Sequence, residues 1–386
     1  MYNVMYVTGS RAEYGIMKEL LYKLDQDSNI NLDIVITGTH LDSKFGMTAD
    51  EIINSGFNVI KKIPIKNTGI NEDIVQSLAL ITNQLSELYN DKHYDLTLIL
   101  GDRQEMLAVA NTAVLFKSPI AHFHGGEVSE GNYDDYIRHA LTKLSHLHFT
   151  SCETYRKRVI QMGEMPQTVF NIGSMAGDSM TTMSLIPFET LKETYDLPFN
   201  HKDYRVVLYH PVTLNSEEET ILELNDFVDA LIISNQNYVL IGSNADIYSN
   251  HISNRFNELK KMNSKFFGLK SLEHLAYASL LKYSKGLVGN SSSGIIEAAS
   301  LGIPVLNVGD RQKGRIHGSS VIDCPTQKHD IIQSLEKMER INEFSNPYYK
   351  KGSVESAYQK ILTFLSSESS LRKEFYDLEG EIKDEN

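Results

Sequence analysis

Cysteine is scarce in this chain of 386 residues: there are two, Cys152 and Cys324. They lie far apart and outside any CxxC spacing, so small buried thiols in a reducing compartment are the expectation. Long apolar runs are missing as well, none approaching the roughly 18 residues that span a bilayer. The opening stretch, MYNVMYVTGSRAEYG, shows no basic leader followed by a long apolar core, so no secretory signal is expected and the cytoplasm is the setting. Positive charge is in deficit. With 37 Lys and Arg against 50 Asp and Glu, the formal net charge is −13, which argues against nucleic acid or an acidic membrane surface as a partner. A polyanionic ligand must then be held by a few placed cations. Neither GxGxxG nor HExxH occurs, so nothing points to a dinucleotide or to a helical zinc site. There is no internal repeat and no low-complexity segment.

What is present is an ordinary globular composition, 41% hydrophobic and 23% charged, at a length that suits two domains. Short runs rich in Val, Ile and Leu alternate with stretches of helical period. Strands are predicted over 3–8, 32–37, 96–100, 119–123, 147–150 and 169–172. The pattern weakens between Gly173 and Tyr204, then resumes with strands over 206–209, 238–241, 286–288 and 305–308. This β-then-α alternation predicts an α/β protein of two doubly wound, parallel-sheet domains. We place them at 1–180 and 181–365, with a charged segment at 366–386 that either frays or returns to the first domain. Ligands in such folds sit beyond the carboxyl ends of strands, so an interdomain cleft is the expected site.

The unusual polar clusters follow predicted strands. Thr8-Gly9-Ser10-Arg11-Ala12-Glu13-Tyr14-Gly15 suits phosphate at a helix start, with Arg11 as a charge-assisted donor, although a bland strand–helix turn fits equally. Gly101-Asp102-Arg103 follows the next long apolar run and also fits a surface ion pair. The densest cluster is His122-Phe123-His124-Gly125-Gly126-Glu127, followed by Asp134-Asp135 and Arg138-His139. Its ligands fall on turns, so proton transfer by Asp102, His124, Glu127 and Asp134 is a better reading than a metal site. The glycine pair would let backbone approach a ligand. In the second half, His210-Pro211 and Gly242-Ser243-Asn244 follow strands. Gly289-Asn290-Ser291-Ser292-Ser293-Gly294 opens a helix as an anion cradle, with Glu297 placed to accept ribose hydroxyls or simply to face solvent. Arg311, Lys313 and Arg315 add local cations.

These clusters, in this order, resemble the UDP-N-acetylglucosamine 2-epimerase superfamily, and within it the hydrolysing branch that starts bacterial sialic-acid synthesis. The matching elements are VTGSRAEYG at 7–15, LGDR at 100–103, HFHGGE at 122–127, YDDYIRH at 133–139, KLSHLHF at 143–149, HPVT at 210–213, GNSSSGIIE at 289–297 and GDRQKGR at 309–315. The resemblance implies a GT-B-like fold with the last segment crossing back, and a homodimer or homotetramer. It implies contacts to UDP or its sugar from Arg11, Arg103, His210, Asn244, Ser291, Ser292, Glu297 and Arg311. Arg138, beside the acidic cluster, joins that binding set. Asp102 and Asp134 match carboxylates assigned to acid–base work. One departure stands out, since some hydrolysing members carry HxEGGE where this chain has His124.

The implied reaction turns UDP-GlcNAc and water into N-acetylmannosamine and UDP through a 2-acetamidoglucal. It needs proton-transfer groups on both ring faces and positive charge at the leaving diphosphate, and no cofactor or metal. The alternatives are the same chemistry on a UDP-2,4-diacetamido-2,4,6-trideoxyhexose for legionaminic acid, a non-hydrolysing epimerase, a GT-B glycosyltransferase, and a catalytically dead sensor.

Overall fold

The structure, a computed structural model, describes residues 1–66, 68, 70–130, 133–242, 247–269, 272–367 and 371–378. The chain forms two compact units. One comprises Met1–Glu127, Asp134–Met175 and the chain from Lys350 onward; the other comprises Val128–Tyr133 and Ala176–Tyr349.

The first unit is built on seven parallel strands: β1 (Tyr2–Thr8), β2 (Ile30–Ile36), β3 (Val59–Lys62), β4 (Leu96–Leu100), β5 (Ile120–Phe123), β6 (Leu147–Thr150) and β7 (Val169–Asn171). Their order in the sheet is β3-β2-β1-β4-β5-β6-β7. Alternation along β1 explains why it lies at the centre. Val4 and Tyr6 point into a core shared with Leu32, Ile34, Leu96 and Leu98, and Met5 and Val7 into a second core with Val35 and Ile99. A strand apolar on both faces must be covered on both faces. Helix Arg11–Asp25 covers one, burying Tyr14, Met17, Leu20, Leu21 and Leu24, each worth about 1.5–3 kcal/mol. Helices Asn71–Asp91 and Gln104–Leu115 cover the other.

Helix Ser353–Ser366 belongs to this unit despite its distance in sequence. Its Ala357, Ile361 and Leu365 enter the core of β1, and Tyr358 donates to Asp27 at 2.9 Å.

The second unit repeats the plan with six parallel strands: β8 (Arg205–Leu208), β9 (Tyr238–Ile241), β10 (Phe266–Leu269), β11 (Leu287–Gly289), β12 (Val305–Val308) and β13 (Val321–Cys324), in the order β10-β9-β8-β11-β12-β13. Helix Glu217–Ser234 starts at a capping box, in which the Ser216 hydroxyl accepts from the Glu219 N–H and the Glu219 carboxylate accepts from the Ser216 N–H. It buries Leu224, Phe227, Val228 and Leu231 against the sheet.

Each sheet reverses its strand order once, between β1 and β4 and between β8 and β11. Chains leaving the carboxyl ends of such a pair diverge to opposite faces and open a crevice. The residues that follow those four strands are therefore the first to consider.

Candidate active site

In the first unit, the turn after β1 is organised by a buried carboxylate. Ser10 caps helix Arg11–Asp25, and Glu13 folds back so that its Oε2 accepts from the Gly9 N–H at 2.9 Å and the Ser10 hydroxyl at 3.2 Å. Burial raises the Glu13 pKa to about 7, with Arg103 opposing and Glu105 adding to the rise. Arg103, just after β4, donates to Glu105 at 2.6 Å. Arg11 opens the helix and, after burial and Arg103, helps hold His40 down at about 4.

Asp102 stands beside Arg103 in sequence but engages a different partner. It accepts from Arg138, a guanidinium only 1% exposed. Arg138 also donates to Asp135 at 2.8 Å and to the Glu127 carbonyl at 3.0 Å. Burial opposes its charge, but Asp102 and Glu127 outweigh that and raise its pKa. One cation thus ties together the turn after β4, the end of the HFHGGE segment and the helix Asp134–Leu144, whose first residue is Asp134.

The two histidines of HFHGGE part company. His122 is fully buried, and its Nε2 donates to the Gly101 carbonyl at 2.8 Å. Burial lowers its pKa to about 3, so it stays neutral and holds the turn that carries Asp102. His124 instead adopts φ +65°, a left-handed conformation uncommon outside glycine. Its N–H donates to the Phe149 carbonyl at 2.8 Å, and its Nδ1 lies 3.2 Å from Glu127 Oε1. Strained backbone of this kind concentrates at functional sites. The glycine pair serves the protein interior rather than a ligand alone: a Cβ on Gly126 would lie 2.6 Å from the Tyr155 carbonyl oxygen.

In the second unit, the turns after β8 and β11 are locked together. Asn290 accepts from the His210 N–H at 2.7 Å and donates to its carbonyl at 2.8 Å. Gly289 runs at φ +144°, where any Cβ would overlap the Leu208 carbonyl. Ser291 caps the short helix Ser292–Ile296, accepting from the Ser293 N–H at 3.3 Å, and its hydroxyl lies 3.0 Å from that of Ser293. Arg311 donates to the Asn290 carbonyl at 3.2 Å. Burial, then the Arg311 charge, holds His210 well below the ordinary imidazole range. Burial raises Glu297 to about 7.

The structure therefore gathers Arg11, Asp102, Arg103, His124, Glu127, Asp134 and Arg138 at the carboxyl ends of β1, β4 and β5 in one unit. It gathers His210, Ser291, Ser292, Glu297 and Arg311 at those of β8, β11 and β12 in the other. Asn244 lies outside the described residues. Sequence reasoning gave no role to Glu13, the fourth residue of a Ser-x-x-Glu pattern, and missed Ser151, a lone hydroxyl after β6. Among the described residues, no group of three or more His, Cys, Asp or Glu converges as metal ligands do.

A sequence profile described as UDP-N-acetylglucosamine 2-epimerase matches residues 22–365. The chain belongs to that family. It is 40% identical to the polysialic acid biosynthesis protein P7 of Escherichia coli, over 98% of each chain. It is 36% identical to the GDP/UDP-N,N'-diacetylbacillosamine 2-epimerase (hydrolyzing) of Campylobacter jejuni, over 86% of each. Among solved structures it resembles the Methanocaldococcus jannaschii UDP-GlcNAc 2-epimerase in complex with UDP-GlcNAc and UDP, with a TM-score of 0.78 at 18% identity, covering 94% of this chain and 99% of that one. The fold of this epimerase-family chain is thus the GT-B-like α/β class, two doubly wound Rossmann-like units.

Proposed function

We propose that the chain is a hydrolysing UDP-N-acetylglucosamine 2-epimerase, converting UDP-GlcNAc and water to N-acetylmannosamine and UDP as the first step of sialic-acid synthesis. The observation that carries this reading is the placement of Asp102, His124, Glu127 and Asp134 after consecutive strands of the first unit, the first three linked through Arg138 and the last opening its helix, in a family whose chemistry is epimerisation at C2. That hydrogen is not acidic by itself. Stretching the C1–O bond to UDP gives C1 oxocarbenium character, and the C2–H electrons then form the C1=C2 bond of a 2-acetamidoglucal as UDP leaves with the C1–O pair. Water adds at C1 while C2 is reprotonated from the opposite face. General acid–base groups on both faces are what this path requires. Arg311 and the serine-capped turn after β11 suit the diphosphate of the leaving group, and Glu297 suits the ribose. Arg11 and Arg103 are further candidates for the sugar and phosphate end.

Three features support the finer setting. The E. coli relative is named for polysialic acid synthesis. Both cysteines are free and buried, which suits the cytoplasm, and no helix among the described residues is long and apolar enough to cross a membrane. Assembly as a homodimer or homotetramer completes the reading.

A second substrate is favoured by the Campylobacter relative, named for a diacetamido sugar and for hydrolysis. Following each UDP sugar with the protein by NMR tests both. Free N-acetylmannosamine plus UDP supports the proposal, turnover of the UDP-2,4-diacetamido-2,4,6-trideoxyhexose alone supports the second reading, and UDP-ManNAc shows a non-hydrolysing epimerase. No reaction with either points to a transferase or a sensor.

A further inference from the structure

Ser151 follows β6 and is fully buried, yet it plays no part in the motifs or the mechanism above. Its hydroxyl donates to Glu127 Oε1 at 2.7 Å. The same oxygen lies 3.2 Å from His124 Nδ1. Glu127 is itself only 2% exposed, and the His124 side chain 10%. At the far end of the imidazole, Nε2 is buried and has no hydrogen-bond partner among the described residues. A ring nitrogen facing an ionised carboxylate must donate to it, and in a neutral imidazole the other nitrogen is then a bare acceptor.

We propose that Ser151 and Glu127 are positioning residues that hold His124 as its Nδ1–H tautomer, so that Nε2 is the base that takes the proton from C2. This rests on the epimerase reading and adds an order of events to it. A nitrogen that is bare in the resting enzyme can accept a proton but cannot give one, so His124 acts in the elimination half. The C2 proton goes to Nε2, the C2–H electron pair forms the C1=C2 bond, and the C1–O pair departs with UDP. The imidazolium is then stabilised through Nδ1–H by Glu127, and reprotonation on the opposite face falls to another group. Ser151 keeps the Glu127 carboxylate in place beneath the ring. Among the described residues, charged or ionisable groups packed around this trio include Arg138 from helix Asp134–Leu144, with Asp102 beyond it, Arg158 from helix Glu153–Gln161, which donates to the Gly126 carbonyl at 2.6 Å, and the Cys152 thiol.

The test is nitrogen NMR of the imidazoles in the full chain without any sugar, with the His124 signals assigned by their loss in His124→Gln. A protonated Nδ1 and a bare Nε2 are expected in the neutral ring, and an Nε2–H tautomer would overturn the proposal. Kinetics give the second readout. Ser151→Ala should lower kcat by about tenfold with KM within about twofold, since a misplaced base weakens general base catalysis. It should also mix the tautomers. Glu127→Gln removes the carboxylate that fixes Nδ1–H, so it too should mix the tautomers and lower kcat. A Ser151 that only fills space would lower the melting temperature and leave tautomer and kcat alone, and that result overturns the positioning role. Should Ser151→Ala fail to fold, the wild-type tautomer still decides. Because that measurement uses no substrate, a chain inert toward UDP sugars refutes the epimerase reading without touching it.

Discussion

Asp102 and Asp134 are treated differently by the protein, and their variants should differ accordingly. Asp102 is bound to a buried guanidinium, whereas Asp134 sits half-buried at a helix start. Asparagine keeps the shape but is no useful base, so Asp102→Asn and Asp134→Asn should retain UDP binding while turnover falls by about 10²–10⁴-fold. Asp102→Asn should in addition lower the melting temperature, because the buried Arg138 guanidinium loses a negatively charged partner. Calorimetry with UDP, product NMR and thermal unfolding separate the three effects. Arg311→Ala should weaken UDP binding roughly ten- to a hundredfold, the size of a lost charge-assisted contact, and unchanged affinity by calorimetry would remove Arg311 from the site. Most of these side chains are legible in the sequence because they come in clusters of charge and glycine. Ser151 is not, since a single hydroxyl after an apolar run carries no signal and its partner Glu127 lies 24 residues away.

At the level of the element, the turn between β1 and its helix carries a pH-sensitive carboxyl. Glu13 is raised from an ordinary 4.5 to about 7 by burial. A carboxyl whose folded pKa exceeds its unfolded value binds its proton more tightly when folded, so the first unit should lose stability as pH climbs from about 4.5 through about 7. The full loss is on the order of 3 kcal/mol. Glu13→Gln keeps an acceptor for the Gly9 N–H and should flatten the first unit's denaturation midpoint between about pH 5 and 8, whereas an unchanged slope would show that another group titrates. The central strands are legible for the reason that makes them central: apolar on both faces, they read as continuous Val, Ile and Leu runs. β3, β10 and β13, three of the four edge strands, escape the pattern, while the fourth, β7, is legible in the run 169–172. With a neighbour on one side only they are partly exposed, and polar residues such as Lys61, Lys62 and Asp323 break the apolar run.

For the whole molecule, the first unit is discontinuous in sequence, and its last helix is the part that sequence places least well. The apolar stripe of Ser353–Ser366 says that the helix packs, but not against which of two similar sheets. Its Ile361 is fully buried against the first. Ile361→Ala should cost about 2–5 kcal/mol. Because a two-unit protein need not unfold in one step, hydrogen exchange is the measurement to use. Protection should fall in β1, β2 and helix Arg11–Asp25 and hold in β8, β9 and β11; loss spread evenly over both units would contradict this division. The same discontinuity bears on how the protein is made. When residues 1–175 have left the ribosome, the core beneath helix Arg11–Asp25 is still open where Ala357, Ile361 and Leu365 will later sit. The bulk of the second unit, Ala176–Tyr349, is synthesised while that apolar surface waits, so the part of the protein that emerges first is the part that is completed last.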